Sequence, residues 1–172
     1  MDEASSWPEA IHRALGELGV RQVAYVPDAG HARLIELCRD DPAMRPVVLT
    51  TEEEGIALLA GAWLGGERGA LLMQSSGIGN CINMLALNQT CRLPLLMLVT
   101  MRGEWGEFNP WQLPMGQSAQ AALELVGVLI ERLSQPAAAY DTVRSSGTMA
   151  FEAQVPLALL LAQRLIGAKT FR

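Results

Sequence analysis

Apolar runs of strand length recur along this chain, and each is followed by a segment of helix length. They are Gln22–Pro27 (QVAYVP), Pro46–Thr50 (PVVLT), Gly69–Gln74 (GALLMQ) and Pro94–Thr100 (PLLMLVT). Each run is continuously apolar rather than alternating, the pattern of parallel strands covered on both faces. The segments between them read as helices over His31–Arg39, Glu52–Leu64 and Asn80–Thr90, and Gly65-Gly66 closes the second of these. Such βα repetition predicts an α/β fold: a doubly wound, mostly parallel sheet of about six strands with helices on both faces. An amphipathic lead helix over Trp7–Leu18 precedes it, with Ile11, Leu15 and Leu18 on one side. Beyond the fourth run, Met101–Gln117 reads as a long aromatic-bearing loop and Ala119–Val126 as a short helix. A fifth strand is expected over Ala137–Thr142 and a last one over Pro156–Leu161.

Composition narrows the function classes. The 172 residues fit one domain spanning 1–172. Half of them are hydrophobic and 18% charged, which excludes a disordered chain. The net charge is -5 and no run of Lys or Arg occurs, so the footprint of a nucleic-acid binder is missing. Mean hydropathy is +0.20, high for a domain with no apolar run of the roughly 18–20 residues that cross a bilayer. That excess points to surface buried against another chain, and no membrane contact is expected. The acidic start Met1-Asp2-Glu3 is unlike a signal peptide. Cys38, Cys81 and Cys91 form no CxxC pair and read as buried thiols of a cytoplasmic protein.

In an open α/β sheet ligands bind beyond the carboxyl ends of the strands, so the loops there hold the candidate residues. Thr51-Glu52-Glu53-Glu54 opens a helix. Three acids complement its positive end, but successive helical residues point about 100° apart. With an apolar turn following, at least one Glu must face the core or a cleft, where it can share a proton with a ligand nitrogen. Ser75-Ser76-Gly77-Ile78-Gly79-Asn80 leads a strand into a helix start that offers N–H groups to an anion. It is neither a Walker loop nor a GxGxxG turn; a plain tight turn is the competing reading. Arg102 suits a carboxylate or sulfonate, or else pairs with Glu104 or Glu107 at the surface. Asp28 and His31 sit in the first loop. No cluster of metal-ligand residues is evident, and metal ligands are expected to be none.

Taken together, these stretches resemble a family. TEEEGIALLAGAWLGGERGALLMQSSGIGNCINMLALN (Thr51–Asn88), the loop from Arg102 to Gln117 and VPDAGHARLIELC (Val26–Cys38) are similar to the pyrimidine-binding domain of thiamine-diphosphate decarboxylases that act on sulfopyruvate or phosphonopyruvate. The likeness runs from Trp7 to Gln117 and touches the last strand loosely. It implies that the Glu nine residues before Gly61, which is Glu52, meets the N1′ nitrogen of the aminopyrimidine. Glu52 is then the catalytic residue, and Glu52, Gly77, Gly79 and Asn80 bind the cofactor. The resemblance also implies that Asp28, His31, Ser75, Ser76 and Arg102 line the substrate pocket.

Full-length members of the family carry a Gly-Asp-Gly…Asn motif for Mg2+ and diphosphate, and no Gly-Asp-Gly occurs here. The expectation is therefore an alpha subunit that shares thiamine diphosphate with a beta subunit holding Mg2+. It would act on a small anionic 2-oxo acid, sulfopyruvate giving sulfoacetaldehyde and CO2, or phosphonopyruvate. Alone, the chain is expected to pair as a homodimer. The competing classes are a non-catalytic homolog kept for assembly or regulation, and a flavodoxin-like nucleotide binder.

Overall fold

A computed structural model describes residues 6–167. The strands are β1 (Val20–Tyr25), β2 (Arg45–Val48), β3 (Arg68–Gln74), β4 (Leu95–Thr100), β5 (Leu129–Leu133) and β6 (Pro156–Leu161). They form one all-parallel sheet in the order β2-β1-β3-β4-β6-β5. The helices are α1 (Trp7–Glu17), α2 (Ala32–Asp40), α3 (Glu52–Leu64), α4 (Ile78–Cys81), α5 (Leu85–Cys91), α6 (Leu113–Leu125), α7 (Ala139–Ala153) and α8 (Gln163–Ile166).

The continuous apolar runs feed two cores at once, because successive strand residues point to opposite faces. Leu96 and Leu98 of β4 and Leu157, Leu159 and Leu161 of β6 join α1, α2 and α7 in one cluster. Leu95, Met97 and Val99, with Ala158 and Leu160, join α3, α4, α5 and α6 in the other. Every residue of β4 and β6 is buried. A strand that must satisfy both layers leaves a polar side chain room only at its end, as Thr100 has at the end of β4, and this makes the apolar runs readable.

Four sequence expectations need correction. Ala137–Thr142 is not a strand: Pro136 opens a short 3-10 turn there and α7 follows. The fifth strand is Leu129–Leu133, an edge strand that carries Glu131 and Arg132 and so lacks the continuous apolar signature. The expected helix Asn80–Thr90 is two pieces, α4 and α5. The long loop ends early, since α6 begins at Leu113 with Pro114 in its first turn, where a missing N–H costs nothing. Of the three thiols Cys38 and Cys81 are buried, but Cys91 is exposed.

Candidate functional site

The strand order reverses direction at β1 and β3: the chain leaves β1 toward β2 on one side and leaves β3 toward β4 on the other. The segments emerging at the carboxyl ends of β1, β3 and β4 diverge there and leave a crevice.

Glu52 is the first residue of α3, and its side chain turns inward to a residue exposure of 8%. The carboxyl lies against Gly77, in the turn that follows β3. A Cβ at Gly77 would stand 2.3 Å from Glu52 Cδ and Oε1, so only glycine leaves room for the acid. Asn80 Nδ2 donates to Glu52 Oε2 at 2.8 Å. The neighbouring acids have different fates, as the helical twist requires. Glu54 Oε2 accepts the Thr50 backbone N–H at 2.8 Å, and Glu53 takes the Thr51 hydroxyl. Glu52, Gly77 and Asn80 are thus brought together. Gly79, on the same turn, faces Met115 of α6.

A second cluster, knit together by hydrogen bonds, adjoins the first through the turn that Ser76 and Gly77 share. Ser76 Oγ donates to Gln74 Oε1 at 3.0 Å, and Gln74 Nε2 donates to Asp28 Oδ1 at 3.0 Å. Thr100 Oγ1 donates to Asp28 Oδ2 at 2.5 Å. Burial pushes the Asp28 carboxyl up, but the Thr100 hydroxyl, His31, the Gln74 amide and the Gly30 N–H outweigh it and hold the group below its ordinary value. Asp28, Gly30, Thr100, Arg102 and Ile166 line a cleft of about 140 Å³ at this point.

One candidate residue is placed differently from the expectation, and a second meets the alternative given for it, though buried rather than at the surface. His31 is fully buried, with Nε2 3.0 Å from the Leu98 carbonyl oxygen, so it supports Asp28 from beneath and does not face a substrate. Burial drives its pKa down against the opposing pull of Asp28 and the Leu98 and Met73 carbonyls, and the ring is neutral. Arg102 is not an uncompensated cation. Its Nε and Nη2 donate to the two oxygens of Glu107 at 2.7 and 2.6 Å. The two side chains are 9% and 2% exposed. Arg102 holds the Glu107 carboxyl down at about 2 against the cost of its burial, helped by the N–H groups of Asn109 and Gly103 and by Gln163. Ser75 is also buried, and its Oγ accepts the Arg102 backbone N–H at 3.1 Å, tying the end of β3 to the end of β4. The turn over 75–81 is a 3-10 turn and a four-residue helix, so it is no helical anion site.

Thr100, Gln74 and Gln163 were not singled out in the sequence, and Glu107 entered it only as a surface partner for Arg102. Thr100, Gln74 and Gln163 share one signal: each is a polar residue ending or closely following an apolar strand. Gln163 Oε1 accepts the N–H groups of Glu104 and Trp105, both at 2.9 Å, which fastens the loop after β4 to α8. Among the described residues no group of three His, Cys, Asp or Glu side chains could hold a metal ion, and no helix is long and apolar enough to cross a membrane.

Residues 7–121 match the family model for the N-terminal TPP-binding domain of thiamine pyrophosphate enzymes. The chain belongs to the thiamine pyrophosphate enzyme family. Within that family, this thiamine pyrophosphate enzyme chain is 35% identical over 154 residues to the sulfopyruvate decarboxylase subunit alpha of Methanococcus maripaludis, covering 89% of this chain and 92% of the relative. The same subunit of Methanocaldococcus jannaschii is 34% identical over 88% of this chain and 90% of its own length. The phosphonopyruvate decarboxylase of Streptomyces viridochromogenes is 44% identical over 91 residues, 52% of this chain but 23% of that protein. The fold also matches 2-oxoglutarate:ferredoxin oxidoreductase from Magnetococcus marinus, with a TM-score of 0.78 at 15% identity. That match covers 94% of this chain and 29% of the oxidoreductase, and at this identity it concerns the fold alone.

Proposed function

We propose that this chain is the alpha subunit of a thiamine-diphosphate-dependent 2-oxo acid decarboxylase whose substrate is sulfopyruvate. The observation that carries the reading is Glu52: a buried carboxyl at a helix start, cradled by a glycine and oriented by Asn80. Near-complete mutual coverage with relatives named subunit alpha supports the division of the enzyme into two kinds of chain. The residues fit the aminopyrimidine half of thiamine diphosphate, because Gly77 gives its side-chain volume to the Glu52 carboxyl and so lets the acid lie inward at the crevice.

In this reading Glu52 holds and passes one proton at the N1′ position. Asn80 fixes Oε2, so the proton-bearing geometry is set before the ligand arrives. Gly77 and Gly79 bring the backbone close to the ring. When bound, the cofactor supplies the electron sink for the carbon left as CO2 departs. The Asp28 cleft, lined by Gly30, Thr100, Met101 and Arg102, excludes water from the substrate's end. The partner beta subunit holds Mg2+ and the diphosphate. The isolated chain pairs with a second copy of itself and binds thiamine diphosphate weakly, since the charged anchor lies elsewhere.

The test mixes this chain with a candidate partner, Mg2+ and thiamine diphosphate, and follows CO2 release from sulfopyruvate. Glu52→Gln is expected to lower kcat by about 10²–10⁴, the usual worth of a positioned proton-transfer group. Full activity in Glu52→Gln would sink the assignment.

A further inference from the structure

The ladder between β3 and β4 ends at the pair Gln74–Thr100, and beyond it the two strands part. Met101 gives its N–H to the Leu161 carbonyl of β6 at 2.9 Å. The next N–H, that of Arg102, turns back toward β3, where the backbone has already left the sheet for the Ser75–Gly77 turn. The Ser75 carbonyl is engaged there, since it accepts the Ile78 N–H that closes the turn. The Ser75 hydroxyl takes its place: Oγ accepts the buried Arg102 N–H at 3.1 Å. Leaving such a donor unpaired costs about as much as a lost hydrogen bond, so this one contact holds turn and strand together. Ser75 itself is fully buried and faces no ligand.

We propose that Ser75 is a positioning residue for Glu52: its hydroxyl holds the 75–77 turn where Gly77 and Asn80 meet the carboxyl. This rests on the proposed decarboxylase reading and deepens it. Gly77, against which the acid lies, and Asn80, whose Nδ2 donates to Oε2 at 2.8 Å, belong to this one segment of chain. With no side chain on Gly77, a shift of the turn is passed straight to the carboxyl. Ile78 and Cys81 are buried in the core beneath and fix how deep the segment sits. Apolar burial has no direction, however, and slides more easily than it lifts. The Ser75 hydrogen bond supplies the direction, because it ties the turn to the end of β4. Proton transfer tolerates little slack, since a misplacement of about 1 Å can cost on the order of 10²-fold in rate.

The test follows the Asn80 side-chain amide of the full chain by NMR. Its signal is assigned by its loss in Asn80→Asp, and Glu52→Ala gives its position without the carboxyl acceptor. In Ser75→Ala the signal is expected to move toward that position. Val143→Ala opens a cavity in the core on the opposite face of the sheet and should leave the signal at its wild-type place. Should Ser75→Ala not fold, Ser75→Cys is read instead, a thiol being a weak acceptor of similar size. An unmoved signal in the Ser75 variant, or equal movement in Val143→Ala, overturns the inference. With partner subunit, Mg2+ and thiamine diphosphate present, the Ser75 variant should lower kcat about tenfold at unchanged KM for sulfopyruvate, the worth of one hydrogen bond. An unchanged kcat, or a raised KM in its stead, overturns the inference as well. The two readings fail separately. CO2 release by the wild-type pair with an unmoved signal retires only the role of Ser75. A signal that moves as expected, with no CO2 from the wild-type pair, retires the decarboxylase and keeps the hold of Ser75 on Glu52.

Discussion

Single residues set the chemistry here through what they exclude. Gly77 is the clearest case, because its missing side chain is the space that Glu52 occupies. Gly77→Ala should displace the carboxyl and reduce CO2 release about as severely as Glu52→Gln, while thermal unfolding shifts far less, since the acid can swing outward at the rim. Asp28 gives a pH prediction. Its folded-state pKa lies below the unfolded value of about 3.9, so the stability it contributes is fully present above that pH and is lost as the pH falls through the folded value. Thr100→Val removes one of the bonds responsible and should cost about 1 kcal/mol at pH 7. In urea titrations the gap to wild type should narrow as the pH drops below about 4. The Glu52 triplet was legible as three acids at a helix start, but which acid turned inward was not. Residue by residue, only the family spacing back from Gly61 singled out Glu52 in advance.

At the scale of elements, the end of β4 and the start of α6 are held together by very close backbone approach. A Cβ on Gly116 would lie 1.9 Å from the Arg102 carbonyl oxygen, and that oxygen belongs to backbone rather than to a flexible side chain. Gly116→Ala should therefore cost about 3 kcal/mol in denaturant unfolding, the upper range for overpacking, and should also disturb the Arg102–Glu107 pair. The missed element, α7, was in principle legible. Ala139, Val143, Ser146, Gly147 and Ala150 are all buried and recur at helical spacing. The residues themselves are small and weakly hydrophobic, so a reading tuned to bulky apolar runs passes over them. Gly147 is small because Leu18, the residue just after α1, needs the room: a Cβ on Gly147 would meet Leu18 Cδ1 at 2.3 Å. Edge strand β5 escaped for the opposite reason, being half solvated and charged.

Over the whole molecule, the two-layer burial leaves specific apolar surface uncovered. Trp111 is 86% exposed, and Pro110, Pro114 and Met115 sit with it beside the Gly79 turn. Light scattering of the isolated chain is expected to give a dimer. The thiols supply a check of the packing as a whole. Burial pushes Cys38 and Cys81 up to about 12, and neither is accessible, whereas Cys91 is exposed. Brief treatment with iodoacetamide should alkylate one thiol in the native chain and all three after unfolding. Two rapidly labelled thiols in the native chain would contradict the described core.

The parallel sheet, its central strands and α3 were already fixed by local composition. A strand buried on both faces must be apolar at every position, and that requirement is written along a single stretch of chain. The enclosure of the Arg102–Glu107 pair, the burial of His31 and the fit of Glu52 against Gly77 had no such local signature. Each depends on where a distant backbone segment passes, and so on the order in which the strands lie side by side. Charge compensation and steric room are properties of neighbours in space, and these emerge only when β1, β3 and β4 bring their ends together.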